Sequence, residues 1–331
     1  MFNHDIGIDL GTANVLIYLK GEGVVLNEPS VVAIDSNTRK PLAVGSDARG
    51  MLGRTPGKVV AIKPLKDGVI ADFDTTGIML DHFIKKAGGK SFFRKPRILI
   101  CCPSNITAVE KQAIKDAAIQ TGARKVFIEE EPKVAAIGAG IDISEANGNM
   151  IIDIGGGTTD IAVLSLGGIV TSESIKVAGN TFDADIMKYV KDKYKLLIGD
   201  MTAENIKLSI GTVFPVKKDE ETILVKGRDL NTGLPNSIVL SSNEIAEALK
   251  DSSDIIIHTA KSVLEKTPPE LAADIVENGV TLTGGGALIK GFDKLIHKEL
   301  KIPVRVADTP LECVALGTGI MLENINLIDN V

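Results

Sequence analysis

A chain of 331 residues is too long for one comfortable core, and a prior of roughly 150 residues per domain points to two domains. Its 44% hydrophobic and 24% charged residues exclude a disordered or collagen-like chain. A formal net charge of −6 excludes general nucleic-acid binding, which needs a basic face.

No apolar run reaches the ~20 residues that span a bilayer. The start of the chain reads straight into a strand pattern without a signal peptide. Cys101, Cys102 and Cys313 make a poor disulfide framework, so a reducing cytoplasm is the expected location.

Val- and Ile-rich strand patterns alternate with helical patterns, which predicts an α/β fold with mixed sheets. "IGIDL" and "VLIYLKG" flank a turn at 11–14 and read as a hairpin. "RKPRILICCP" (94–103) reads as a buried strand that carries Cys101 and Cys102 into the core. Thr107 and Glu110 have capping-box spacing and open a helix that stops at Gly122. "KVFIEEEP" (125–132) is a strand ending in acids, followed by a helix of small residues. "NMIIDIGGGTTDIAVLSLGG" is strand, glycine turn, strand. Thr202 is placed to cap a helix beginning "AENIKLSIG". Residues 222–241 read as two strands around a loop. Ser241 and Glu244 form a second capping box whose helix runs toward Pro268 and Pro269. Residues 279–300 read as strand, triple glycine, helix, and "TPLECVALGTG" (309–319) as a helix returning to the first domain. No low-complexity linker separates the halves, so they should pack together. His4, His82, His258 and His297 lack metal-ligand spacing.

One phrase occurs twice, as "DLGTANVLIYLKG" (9–21) and "DIGGGTTDIAVLSLGG" (153–168). In each, Asp closes an apolar strand and glycine follows. A carboxylate at a strand end can hold a hydrated Mg²⁺. Glycine lets backbone approach a phosphate, and turn amides can point at one anion. Thr12, Asn14, Thr158 and Thr159 add donors, so two such turns facing each other would hold a polyphosphate from both sides. Gly284, Gly285 and Gly286, read as leading into a helix N-terminus, form a third anion-compatible site with room for a ring or sugar. A G-x-G-x-x-G is absent, and "GGKS" (88–91) fails as a P-loop because Ile84 replaces its first glycine.

These hairpins, "EEEP", "TAENIK" and "LTGGGALIKG" resemble the ATPase core of the actin, Hsp70 and sugar-kinase superfamily. The similarity runs end to end with the MreB family of bacterial actin homologues. It is carried by "VLNEPSVVAID", "AIKPLKDGVIADFD", "YKLLIGDMTAENIK" and "GRDLNTGLP", while "EEEPKVAAIGAG" and "GGGTTDIAVLS" are similar to its Mbl-type branch.

The resemblance implies an actin-like fold of two duplicated ribonuclease-H-like lobes with the nucleotide cleft between them. Lobe I would span 1–147 plus 312–331, with a small subdomain near 32–70. Lobe II would span 148–311, its large part 148–180 and 238–311 and its small part near 181–237. It implies ATP and Mg²⁺ as cofactors. Gly11, Thr12, Ala13, Asn14, Gly155, Gly156, Gly157 and Thr158 would hold phosphates. Glu204, Asn205, Ile206 and Lys207 would meet the adenosine, with Gly284, Gly285, Gly286 and Ala287 beneath it. Asp9 and Asp153 would bind Mg²⁺ through water. Glu131, helped by Thr158, would orient the attacking water, a slow catalysis by positioning. Asp160 stands where many relatives carry Glu, and its role is open. The implied role is structural: antiparallel double protofilaments at the inner face of the cell membrane, directing cell-wall elongation and rod shape with the elongation machinery.

"KKAGGKSFFRKPR" (85–97) reverses the local charge. No acid lies between His82 and Val109, whereas Lys85, Lys86, Lys90, Arg94, Lys95 and Arg97 do. With Phe92 and Phe93 between glycines and a proline, this reads as a wedge for an anionic leaflet, with Lys90, Arg94 and Lys95 beside it. Each basic residue contributes about 1 kcal/mol near such a surface, and many copies on a filament would add avidity. The plainer reading is a solvated basic loop with one Phe tucked inward. Two other functions share the fold: a sugar or small-molecule kinase, which needs a carboxylate base and usually substrate insertions, and a chaperone ATPase, which needs an appended substrate domain. Little in the chain is left over for either.

Overall fold

Two five-stranded sheets with the same strand order frame the molecule; the computed structural model describes residues 5–88, 95–215, 218 and 220–323. In the first sheet, β1 (Ile6–Leu10), β2 (Asn14–Leu19) and β3 (Gly23–Pro29) form an antiparallel meander. β4 (Arg97–Cys102) and β5 (Lys125–Glu130) add in parallel beyond β1, giving the order β3-β2-β1-β4-β5. In the second, β6 (Asn149–Ile154), β7 (Thr159–Ser165) and β8 (Gly168–Ile175) meander. β9 (Val280–Thr283) and β10 (Val304–Val306) add in parallel, giving β8-β7-β6-β9-β10. Register shifts recur between the second and third strands, at Ile17/Tyr18 and at Val163/Leu164. The expected duplication is therefore the topology itself. The central strands β1 and β6 read as near-continuous apolar runs because helices cover both faces.

Each half carries a small inserted sheet. Between β3 and α1 (Phe73–Gly88) lie Val32–Asp35, Pro41–Val44 and Val59–Ile62, followed by a hairpin of Leu65–Lys66 and Val69–Ile70. In the second half, Leu196–Leu197, Thr222–Asp229 and Pro235–Ser241 form the counterpart. α2 (Ala108–Gln120) begins with the expected capping box: Thr107 Oγ1 accepts from the Glu110 N–H at 3.2 Å, and Glu110 Oε2 accepts from the Thr107 N–H at 2.7 Å. Gly122, at φ 94°, follows its end.

Three local expectations need correction. The "AENIKLSIG" helix, α5 (Asp200–Ile210), starts two residues before Thr202, after Gly199; Thr202 sits in its first turn, its N–H on the Gly199 carbonyl. Asp200 supplies the negative charge that the turn favours. The second capping box forms, but its helix, Ser242–Ala248, yields at Leu249 to a separate helix, Lys250–Glu265. The Ser253 hydroxyl there donates back to the Leu249 carbonyl at 2.7 Å, a contact that bends helices. The triple glycine does not lead directly into an α-helix: Gly285–Leu288 form a 3₁₀ turn, and the helix starts only at Phe292.

α3 (Glu131–Gly138) and α6 (Cys313–Glu323) pack between the two sheets, where Leu99 and Cys101 of the first meet Ile151, Ala162 and Leu164 of the second. The returning helix is thus where it was expected. The crossing is at backbone contact: a Cβ on Gly138 would lie 1.7 Å from the Cys313 carbonyl oxygen, and one on Gly317 2.0 Å from that of Val134. A Gly317→Leu variant is therefore expected to lose about 3 kcal/mol or more in urea unfolding. A loss below about 1 kcal/mol would show that the helices separate at little cost.

All three cysteines are free and buried. Among the described residues no helix is long and apolar enough to cross a membrane. Lys90, Phe92, Phe93 and Arg94 of the expected wedge, and His4, lie outside the described residues.

Candidate functional site

The twin turns meet. A Cβ on Gly156 would stand 2.6 Å from the Ala13 Cβ, and one on Gly157 2.5 Å from Thr12 Oγ1, so only glycine permits this approach. Each turn is held from outside itself. Ser30 donates its hydroxyl to the Gly11 carbonyl at 2.6 Å and its N–H to that of Ala13 at 2.9 Å, and Asn14 Nδ2 donates to Asn27 Oδ1 at 2.6 Å. In the second turn the Gly155 N–H donates to the Thr158 carbonyl at 2.9 Å. At the start of α4 (Gly179–Tyr194), the N–H groups of Gly179 and Asn180 donate to the carbonyls of Gly155 and Gly156 at 3.1 and 2.8 Å.

A third turn joins them. The tip of the 65–70 hairpin places Asp67 and Gly68 at φ 51° and 78°, and the Gly68 N–H donates to Thr12 Oγ1 at 2.9 Å. Ser30, Gly68, Gly179 and Asn180 were missed in the sequence. The Asp-Gly pair between short apolar runs is a two-residue hairpin signal that could have drawn attention to Gly68.

Below the turns four carboxylates converge. Asp153 pairs in register with Asp160 across the second hairpin, whereas Asp9 faces Leu16 across the first. Asp153 is 5% exposed and Asp160 1%. Like charges directly opposite on a sheet repel. Burial, then Asp153, pushes the Asp9 carboxyl up to about 8; burial, then Asp160, pushes Asp153 to about 7. Glu131, the first residue of α3, is held well above the carboxylate range by burial, then by Asp160, Asp9 and Asp153. Burial also raises Asp160, against the Ser104 N–H that donates to it at 3.2 Å.

Asp153 Oδ1 is buried with no hydrogen-bond partner. An orphaned anionic oxygen within such a cluster fits a cation. Among the described residues no three His, Cys, Asp or Glu are arranged to ligate a metal directly, and contact through water asks less of these donors.

The second half supplies the remaining side chains. Lys207 Nζ donates to the Gly179 carbonyl at 2.9 Å and pairs with Asp183 at 2.8 Å, which brings it beside the second turn. Glu204 pairs at 2.7 Å with Arg49, which belongs to the first half's insertion. Asn205 is exposed, and the Ile206 side chain is in the core of the second half, so only its backbone is free to face a ligand. Gly284 and Gly286 lie against the end of β6: a Cβ on Gly284 would come 2.5 Å from Asp153 Oδ1, and one on Gly286 2.2 Å from the Ile154 side chain. Ala287 is buried beside them.

The basic run around 85–97 is less positive than it reads. Lys85 pairs with Asp81 at 2.6 Å, Lys86 with Glu28 at 2.5 Å, and Arg97 with the buried Asp5 at 2.5 Å. Lys95 is exposed.

The comparisons with known proteins point one way. The family model described as "MreB/Mbl protein" matches residues 3–330. The cell shape-determining protein Mbl of Bacillus cereus is 64% identical over 98% of both chains. The cell shape-determining protein MreB of Escherichia coli is 53% identical, over 99% of this chain and 95% of its own. MreB5 of Spiroplasma citri, solved bound to AMPPNP, superposes over 100% of both chains with a TM-score of 0.95 at 43% identity. The expected actin-like fold is borne out, and with a family match over nearly its whole length the chain belongs to the MreB/Mbl family.

Proposed function

We propose that this chain is an actin-like cytoskeletal protein that binds and slowly hydrolyses ATP, forms filaments, and directs rod-shape cell-wall elongation from the inner face of the cell membrane. One observation carries the nucleotide reading: two aspartate-led turns, one from each sheet, meet backbone to backbone beside a cluster of carboxylates in which Asp153 and Asp160 are buried. The relatives' names support the cellular role, and the AMPPNP-bound neighbour supports the ligand.

Gly11, Thr12, Ala13 and Asn14 grip the phosphates from one side and Gly155, Gly156, Gly157 and Thr158 from the other. Lys207, Glu204 and Asn205 meet the adenosine, with the backbone of Ile206 and the stretch Gly284, Gly285, Gly286 and Ala287 beneath. Asp9 and Asp153 hold Mg²⁺ through water; the ion supplies charge neutralisation for the triphosphate. Glu131 orients the attacking water beside Thr158. The lobes of this reading are 1–147 with 312–331 and 148–311, with 32–70 and 181–237 as the small subdomains; the equal strand order of the two five-stranded sheets supports it.

Electron microscopy of purified protein with ATP and Mg²⁺ on anionic lipid tests this reading. Filaments are expected, and their absence together with phosphorylation of a sugar would favour the kinase. Phe92, Phe93, Lys90, Arg94 and Lys95 form the membrane wedge. Its test is co-sedimentation with anionic liposomes, in which a Phe92→Ser, Phe93→Ser variant should pellet at least about fivefold less. Unchanged pelleting would remove the wedge.

A further inference from the structure

The insertion of the first half reaches the second half at two places. The first contact is backbone: a Cβ on Gly157 would lie 3.0 Å from the Asp67 Cα, and one on Gly68 3.1 Å from Thr158 Cγ2. Beside it the halves part around a cavity of about 300 Å³, with Leu65, Lys66 and Asp67 on one side and Asn180, Asp183 and Met187 on the other. The second contact is ionic. Arg49 of the insertion pairs with Glu204 of α5 at 2.7 Å, and both side chains are 31% exposed.

Both partners of this pair have fixed footings. Arg49 ends a one-turn helix, Ser46–Arg49, and the N–H and hydroxyl of Ser46 donate to Glu28 Oε2 at 2.8 and 2.7 Å. Glu28 belongs to β3 of the first sheet. On the other side, Glu204 stands three residues before Lys207 and so shares its face of α5. Lys207 is tied to Asp183 and to the Gly179 carbonyl. A line of contacts therefore runs from the first sheet, through Arg49 and Glu204, to the start of α4 that holds the second turn.

We propose that Arg49 is a positioning residue of the nucleotide site: from the first half it holds Glu204 in place against the adenosine of an adenine nucleotide, and the pair must part before that ligand leaves. The inference rests on the reading that places Glu204 at the adenosine. A carboxylate has about four acceptor sites, so one oxygen held by Arg49 leaves room for hydrogens of the nucleoside. The planar guanidinium is always charged and fixes a carboxylate in direction as well as distance. A pair this exposed adds little to folding stability. It joins two bodies on either side of the ligand, so its effect falls on how fast the ligand escapes.

The test loads the full chain with tritiated ADP and Mg²⁺, adds excess unlabelled ADP, and follows release by filter binding. Arg49→Ala should release ADP about fivefold or more faster than the parent. Its nucleotide-free melting temperature should stay within about 2 °C of the parent. A merely structural role would lower the melting temperature and leave release alone. Should Arg49→Ala melt lower, Arg49→Gln, which keeps more of the side-chain stem, carries the same expectation for release. The double variant Arg49→Ala, Glu204→Ala should release ADP no faster than Glu204→Ala alone, because the two side chains act as one unit. Release from the Arg49 variants within about twofold of the parent, or additive effects in the double variant, overturns the inference and leaves the nucleotide reading standing. Failure of the parent to bind ADP at all overturns the nucleotide reading, and this inference with it.

Discussion

Replacing Glu131 by Gln should lower ATP turnover about a hundredfold or more while leaving nucleotide affinity within about twofold. The substitution preserves shape and removes only the negative charge and the capacity to accept a proton. Glu131 is suited to a water-positioning role because the chain turns sharply there, from β5 into α3, with Pro132 fixing the first helical turn. Burial and three neighbouring carboxylates raise its proton affinity. The ionised form is the one that can hold and activate water, so turnover should climb with pH until the group is deprotonated. Single-turnover phosphate release and a separate nucleotide titration measure the two effects. Turnover within threefold of the parent would remove Glu131 from the chemistry, and a parallel loss of affinity would make it a binding residue instead.

The second large effect concerns stability. Asp9 and Asp153 titrate near 8 and 7 in the folded chain against an ordinary 3.8. The folded state thus binds these protons more tightly than the unfolded state. The stabilisation is complete below about pH 4 and is lost as pH rises through 7 and 8. Nucleotide-free protein should therefore melt at a lower temperature at pH 8 than at pH 6. Asp9→Asn or Asp153→Asn should raise the pH 8 melting temperature by roughly 3–6 °C, since a buried uncompensated charge costs a few kcal/mol. The same variants should lose about tenfold or more of the affinity for ATP measured with Mg²⁺. The two signs together are diagnostic: stability gained without ligand, affinity lost with it. Scanning calorimetry at both pH values checks the first. Equal melting temperatures at pH 6 and 8 would show that the cluster is not strained.

Much of the site is local in sequence. Asp9 and Gly11 sit within three residues, as do Asp153 and Gly155, so the strand-end carboxylate and its turn are legible wherever an apolar run stops. The capping boxes at Thr107 and Ser241 are legible for the same reason, since donor and acceptor lie three residues apart. The pairing of Asp153 with Asp160 follows from counting outward from a short turn, although nothing in the residues themselves flags it.

The charge of the 85–97 segment misleads because Asp5 and Glu28 neutralise part of it from far along the chain. Thr202 misleads because Gly199 and Asp200 offer an earlier start that propensity does not separate from a threonine cap.

By itself, then, the sequence determined the α/β alternation, the twin turns and their acids, and family membership, because each depends on neighbours within a few residues or on similarity along the whole length. Only the tertiary structure decided that Gly156 and Gly157 touch Ala13 and Thr12, that Ser30, Gly68 and the start of α4 hold the turns, and that Asp9 and Glu131 converge on the buried pair Asp153 and Asp160. Those contacts join residues tens to more than a hundred positions apart. They exist because two sheets of equal topology pack across α3 and α6, a long-range burial that no local pattern encodes.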